Sequence, residues 1–360
     1  MAETALPAAP SPATPLAPPV LPPPGRWHGD GLISRSVRFA LTVMAPVALG
    51  LLIGLNVWLI YAMVTCILAF TLDTGGPARE RLVWMAIAGA VVLAGSGLGT
   101  LVAGHMALTV IAFAAVGVIY ALVESLHQSA AFAARFACLT LAIGALYAPL
   151  QLVDVGAVVA FALYAWVVSL AWDVVVGVWR PSAAPTLRHL MVRLRATERR
   201  RWIFAAAVAI AVPGAFLTSL ALGLHRPYWA LIAVVLVLRA DAMASRRLMA
   251  QMLAGTALGV LAALGFGWAF PSHTAALLGM VVAALVRWPA HQYHGALGNA
   301  ALTVFIMLLL EFVAGGVTGA AHDIIERLID MGIGCVFALL ALGLDRLALR
   351  ALKPRARRPV

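Results

Sequence analysis

Three acidic residues sit where an acid is costly. Asp154, Asp330 and Glu311 lie within or at the ends of long apolar stretches of the 360-residue chain. Charged side chains in such stretches are expensive and mark functional sites by default. A carboxyl taken out of water holds a proton more readily than one in water, so each is a candidate proton carrier. The structural alternative for Asp154 and Asp330 is capping, since a helix N-terminus favours a negative charge. Glu311 ends its stretch and cannot cap in that way. A second set could hold an aromatic or anionic ligand: Tyr228 and Trp229 by stacking, Arg239 by gripping a carboxylate with two parallel N–H donors, and Trp58 at the matching place in the first half of the chain. Against this, Tyr and Trp favour membrane interfaces, and an arginine near a helix end can snorkel to water. Asp173 and Glu124 fit ion pairs with nearby arginines.

His291 and His294, three apart, could share a metal on a helix, but no Cys or acid accompanies them, so no metal site is expected. Cys66, Cys138 and Cys335 form no CxxC pair and fall in apolar segments, as small lipid- or core-facing residues do. There is no nucleophile beside a base, no dinucleotide fingerprint and no phosphate loop. Neither an enzyme nor a cofactor is expected.

The elements that position these residues follow from composition. The chain is 63% hydrophobic and 11% charged, against roughly 25% charged residues in soluble domains. Mean hydropathy is +0.99. The apolar stretches are long enough to cross a membrane core of about 30 Å as helices. Transmembrane β-strands are excluded, because they are about 10 residues long and alternate in polarity. The reading is an all-α polytopic membrane protein of about twelve spans: near 37–54, 57–72, 83–103, 107–123, 130–149, 155–178, 202–222, 227–240, 248–269, 273–288, 298–316 and 326–346.

Charge tests the map. With the N-terminus in the cytoplasm, every one of the 25 Lys and Arg residues except Arg226 and Arg327 falls on the cytoplasmic side, as the positive-inside rule requires. Both termini are therefore expected inside. A net charge of +11 would suggest nucleic acid in a soluble protein; here topology explains it, and no nucleic-acid partner is expected. Nearly all the basic residues are arginines, in a chain rich in Ala and Gly, which suits a GC-rich bacterial genome and a bacterial inner (cell) membrane.

The halves resemble each other. Arg81-Leu82 and Ala88-Gly89 recur as Arg247-Leu248 and Ala254-Gly255. Asp154, Gly156 and Phe161-Ala162-Leu163 recur as Asp330, Gly332 and Phe337-Ala338-Leu339. The expected organisation is a Pro-rich disordered tail over 1–34, a six-helix half over 35–178, a basic cytoplasmic linker over 179–201, a second six-helix half over 202–346 and a basic tail over 347–360. Six spans per half make a parallel repeat about an axis along the membrane normal. Residues 187–195 of the linker could lie on the anionic leaflet as a basic amphipathic helix. Gly255, Thr256 and Gly259, with Gly95, Gly97 and Gly99, are spaced for close helix packing.

The second half carries Arg226-Pro227-Tyr228-Trp229-Ala230, then Ser245-Arg246-Arg247, Gly255-Thr256-x-x-Gly259 and Glu326-Arg327-x-x-Asp330-x-Gly332. This order resembles the fusaric acid resistance–like (FUSC) family of aromatic acid exporters over about 202–345, and more weakly over 35–178. The chain departs from the family at Arg239-Ala240-Asp241, where Gln-Pro is common, at Met252, where a second arginine is common, and in having only the short linker between its halves. The resemblance implies proton-driven efflux of aromatic or hydrophobic organic acids, with a periplasmic adaptor protein in some members. A passive organic-anion channel and a non-transporting membrane scaffold are the alternatives. The outer surface of twelve helices faces lipid entirely or includes a seam with a second copy, as a homo-oligomer.

Overall fold

The computed structural model describes residues 31–54, 59–73, 75–124, 126–177, 191–192, 194–196, 199–224, 227–239, 242–314 and 320–351, without the side chains of 242–244, 310–314 and 320–327. Trp58, the Pro-rich tail and most of the basic linker lie outside them, as does the side chain of Glu311. Every extended element among the described residues is a helix. In chain order they are α1 (Leu32–Ile53), α2 (Leu59–Leu72), α3 (Ala78–Val102), α4 (Met106–Glu124), α5 (Gln128–Leu146), α6 (Leu152–Val176), α7 (Arg199–Ala221), α8 (Tyr228–Val237), α9 (Ala242–Ala269), α10 (His273–Tyr293), α11 (Gly295–Ala314) and α12 (Ala320–Ala351).

Their boundaries have local causes. Gly54 and Gly177 end α1 and α6 with φ of 68° and 69°, which a residue without Cβ adopts at no steric cost. The His127 ring and the Ser272 hydroxyl accept amide hydrogens at the starts of α5 and α10. Pro77 immediately precedes α3. Pro46 and Pro213 lie inside α1 and α7, the first helix of each sequence half.

Among the described residues, nine helices are long and apolar enough to cross a membrane. The 25 residues of α3 and α6 reach about 37 Å at 1.5 Å per residue. Three apolar helices among the described residues are shorter: α2, α8 and the Gly295–Leu309 stretch of α11. At 14 and 10 residues, α2 and α8 reach only about 21 and 15 Å. Both are apolar on every side and buried along nearly their whole length, as expected of a helix with no outward face. The longer helices present large apolar side chains outward, among them Leu52, Leu101, Ile111, Leu152, Val167 and Trp268. In water that surface would be a severe liability; against lipid it is a solvent match.

The packing follows one plan twice. Within the first six helices α1 packs on α2 and α6, α2 on α3 and α6, α3 on α5 and α6, and α4 on α5. The same pairs recur among the last six: α7 with α8 and α12, α8 with α9 and α12, α9 with α11 and α12, and α10 with α11. The two largest cores mix the halves, while a third, of α2, α3, α5 and α6, stays within the first. One mixed core is built from α1, α2 and α6 with α10 and α11. The other mixed core is built mainly from α7, α8 and α12 with α4 and α5. Each trio of helices from one half is thus completed by the fourth and fifth helices of the other.

Glycines make the tightest of these contacts. A methyl built on Gly259 of α9 would lie 2.5 Å from the Ala300 carbonyl oxygen and 2.6 Å from Thr303 Cβ on α11. Gly255 has the same relation to Ala296 and Asn299. In the first half Gly95 and Gly99 of α3 meet α5 at Thr140 and Ala145. Gly97 does not share this role: its nearest neighbour would be a Leu150 methyl at 4.0 Å. Backbone atoms cannot rotate away, so Gly259→Ala should cost about 1–3 kcal/mol by forcing α9 from α11. Gly97→Ala should be near neutral. Thermal unfolding of the two purified variants checks the contrast.

Candidate functional site

At one end of the bundle, called here the basic end, the starts of α1 and α3 lie beside the ends of α2 and α6, where Arg38 pairs with Asp73 and Arg81 with Asp173, and Arg35 meets Trp288 beside Arg287 near the end of α10. Because α3 and α5 run side by side with Gly95 against Thr140 and Gly99 against Ala145, the end of α4, where Glu124 meets Arg239, belongs to this same basic end. The opposite end holds Asp154, Asp330, Tyr228 and Trp229.

At that opposite end the two repeat-related acids take different positions. Asp154 lies in the first turn of α6 and is buried. The Gln151 amide donates to its Oδ2 at 2.8 Å, and the Gln151 side chain accepts from the Asp154 amide, a reciprocal cap. Its Oδ1 is buried with no hydrogen-bond partner among the described residues. Asp330 is fully buried. It does not begin a helix, because α12 starts ten residues earlier at Ala320, so the capping alternative does not apply to it. Its Oδ1 accepts a hydrogen bond from the Ser219 hydroxyl near the end of α7. One turn further along α12, Gly334 brings the helix against the Ala230 carbonyl and Ala233 of α8. Asp330 therefore belongs to the level at which α8 begins.

Tyr228 and Trp229 open α8. Their ring centroids are 5.4 Å apart, and Tyr147, just past α5, lies 6.0 Å from Tyr228. Tyr228 is buried and Trp229 partly so. Arg239 stands just past the other end of α8. Its Nη1 is 3.7 Å from Glu124 Oε1 at the end of α4, and its backbone is tied to Ser245 at 2.8 and 3.0 Å. Tyr228 and Arg239 are separated by the length of α8, about 15 Å. They cannot grip one small acid together. If both touch a ligand, they do so at two stations.

The basic end contains a network that sequence reasoning missed. Arg81 in the first turn of α3 is fully buried. Its Nε donates to the Gly76 carbonyl at 2.8 Å, one Nη to the Ser169 carbonyl and hydroxyl at 3.2 and 3.0 Å, and the other to Asp173 on α6. The Ser169 hydroxyl in turn donates to Asp73 at 2.7 Å, and Asp73 pairs with Arg38 of α1. Two arginines and two aspartates, all buried, join α1, the end of α2, the start of α3 and the end of α6. Beside them is a small cavity lined by Arg38, Thr42, Phe70, Asp73, Met85, Ala165 and Ser169. The sequence marked Arg81 only as a repeat position and Asp173 only as an acid near arginines. Pairs set by contacts between α1, α3 and α6 leave no trace in local spacing.

The neighbouring face is basic and aromatic. Phe39, Phe70 and Trp288 form a triangle with centroids 5.0–6.2 Å apart. The Arg35 guanidinium sits 3.8 Å from the centre of the Trp288 ring, Arg38 4.7 Å from Phe70, and Arg287 4.6 Å from Phe39 and 5.3 Å from Trp288. His291 lies exposed, 6.2 Å from Trp288; His294 is its partner in sequence, but among the described residues no three His, Cys, Asp or Glu side chains gather to hold a metal.

Against known proteins, residues 210–341 match a family model described as fusaric acid resistance protein-like, which supports a membrane protein of that family. No curated protein and no solved structure matches the chain. The match covers the second half of α7, α8–α11 whole and most of α12, and therefore takes in Ser219, Tyr228, Trp229, Arg239, Arg287 and Asp330.

Proposed function

We propose, with the family match of residues 210–341 as premise, that this multi-pass protein is a proton-coupled transporter that exports aromatic or other hydrophobic organic acids across a bacterial inner membrane. The observation that carries the reading is the pair of buried carboxyls, Asp154 and Asp330, at repeat-related positions on α6 and α12. Carboxyls in such places are costly for a fold and useful for moving protons.

The arrangement works as follows. All twelve helices cross or enter the membrane as two six-helix halves, 35–178 and 202–346, related by an axis along the membrane normal. The basic end faces the cytoplasm, together with both termini and the linker 179–201. The short inner helices α2 and α8 do not reach across by themselves, a feature of helices that frame a midplane pathway. An organic anion is drawn from the cytoplasm by the arginines of the basic end, with Arg239 as one station. It leaves past the aromatic rings of Tyr228 and Trp229, with Trp58 at the matching place in the first half. Asp330 takes a proton at the outer end and passes it inward as the halves exchange exposure. Asp154 and Glu311 are the alternative carriers at that end, to be set against Asp330 by substitution. A periplasmic adaptor and a second copy of the chain are the protein partners this reading allows.

The test is efflux of a radiolabelled aromatic carboxylate from cells expressing the chain, with and without a protonophore. Coupled export predicts that the protonophore abolishes efflux against a gradient. Flux that survives the protonophore and follows membrane voltage would replace the exporter with a passive channel, a reading favoured by the arginines near both short helices.

A further inference from the structure

We infer that Arg135, two turns into α5, is a binding point for a monocarboxylate with an apolar body, where α5 meets the ends of α4 and α8. The inference deepens the export reading by giving the Arg239 station a second guanidinium, and it rests on that reading for its biological sense alone. Arg135 is 4% exposed. Its Nε and Nη2 are buried and make no hydrogen bond, and no carboxylate lies within 4.0 Å of it among the described residues. Arg81 shows what a buried arginine that serves the fold looks like here: its Nε and both Nη groups all donate, one of them to Asp173. Arg135 has rings instead. Its central guanidinium carbon is 5.5 Å from the Tyr120 ring centre and 5.2 Å from that of Phe132. Rings attract a cation but do not replace the missing acceptors. A buried cation short of hydrogen bonds and a counter-charge is costly, and an anion supplies both.

The geometry selects the ligand. Nε and Nη2 share the one edge of a guanidinium that pairs an Nε–H with a parallel Nη–H, the fork that a planar carboxylate fills with both oxygens. A single negative charge neutralises the single cation; a phosphate dianion would bring a second charge into a dry site. Ala131 and Cys138, one turn to either side of Arg135, are buried and apolar, and with the two rings they suit an apolar body behind the carboxylate. The place is next to Arg239. The Tyr120 hydroxyl donates to the carbonyl of Leu238, the residue before it, and Glu124, one turn beyond Tyr120 on α4, reaches Arg239 itself. The fork is covered in this conformation, so the ligand enters as α4 and the end of α8 part, and the Tyr120–Leu238 bond is the tie between them. The site belongs to one half: α11, which takes the place of α5 in the second half, carries no arginine. A free aromatic acid and a fatty acid from the bilayer offer the same chemistry, so the experiment separates the two sources.

The full-length protein is placed in nanodiscs of uncharged phosphatidylcholine, and equilibrium binding of radiolabelled 1-naphthoate and of radiolabelled laurate is measured against empty nanodiscs. Arg135→Gln should weaken binding by roughly tenfold or more, the loss of a charge-assisted contact. Arg135→Lys keeps the charge, loses the fork and should weaken binding to a similar degree. Without ligand, Arg135→Gln should unfold at a temperature no lower than the wild type, because it removes a buried charge; naphthoate should raise the unfolding temperature of the wild type alone. If Arg135→Gln does not fold, Arg135→Lys decides the matter. Binding that neither substitution weakens, or no binding by the wild type, overturns the site while leaving export untouched. Laurate held through Arg135 with naphthoate refused keeps the site and assigns it to a bilayer-borne acid. Binding that depends on Arg135 in a protein that exports nothing supports the site and sinks the transport reading instead.

Discussion

Asp173→Ala should be among the most damaging single substitutions for stability, costing about 3–5 kcal/mol, because it leaves a buried guanidinium without its counter-charge. Arg81 would keep its bonds to the Gly76 carbonyl and to Ser169. Those are dipoles, and they share the charge without cancelling it. The second acid, Asp73, reaches Arg81 only through the Ser169 hydroxyl and is already bound to Arg38. The burial that makes the pair costly to break also makes it cheap to replace. Removing both charges with apolar residues of similar volume, as in Arg81→Met with Asp173→Leu, should recover most of the loss. The unfolding temperature of the purified protein in one fixed detergent decides between these outcomes. A single variant as stable as the wild type would show that the pair is solvated. A double variant no better than the single one would show that the network as a whole fixes the junction of α1, α3 and α6.

Much of the architecture was legible in the sequence because its causes are local and periodic. Long apolar runs specify helices wherever they occur, and each of the twelve expected segments overlaps one of α1–α12, of which nine among the described residues are long and apolar enough to cross a membrane. The main boundary that moved is the start of the last helix: α12 begins at Ala320, where hydropathy placed the span from about 326. Those few residues changed the chemistry of Asp330, from the start of a span to the interior of a helix. The glycine pattern was readable in kind and not in detail, since spacing alone could not show that Gly97 points away from α5 while Gly95 and Gly99 face it. The pairing of Glu124 with Arg239 and of Asp173 with Arg81 follows the expectation that these acids meet arginines near their own helix ends. Which arginine is met is a tertiary fact: Glu124 reaches Arg239 through the placing of α4 against the second half, and Asp173 reaches Arg81 through the packing of α6 on α3. For the same reason Arg35, Arg38 and Arg287 read in the sequence only as charges that set topology. Their rings come from three helices, and no window of sequence contains them together.

The exchange of helices between halves also bears on how the two acids should differ. Asp330→Asn should remove coupling: export against a gradient should fall to simple equilibration, while downhill flux continues. Asp154→Asn should keep coupling. Asn can still accept from the Gln151 amide and cap α6, so this variant tests the charge with the helix end intact. Asp330 has no helix end to hold, and its bond to the Ser219 hydroxyl links α12 to α7 inside one core. A proton arriving there alters the contact between the first and last helices of the second half, the kind of two-state element that coupling requires. Asp154 instead stabilises the start of α6 and is joined to its own chain neighbours. Accumulation ratios of a radiolabelled aromatic carboxylate, measured in everted vesicles with an imposed proton gradient, give the answer directly. Asp330→Asn vesicles that still concentrate the acid would remove Asp330 from the mechanism. Loss of accumulation in Asp154→Asn alone would move the relay to α6, where the buried and unpartnered Oδ1 of Asp154 is the atom that would carry the proton.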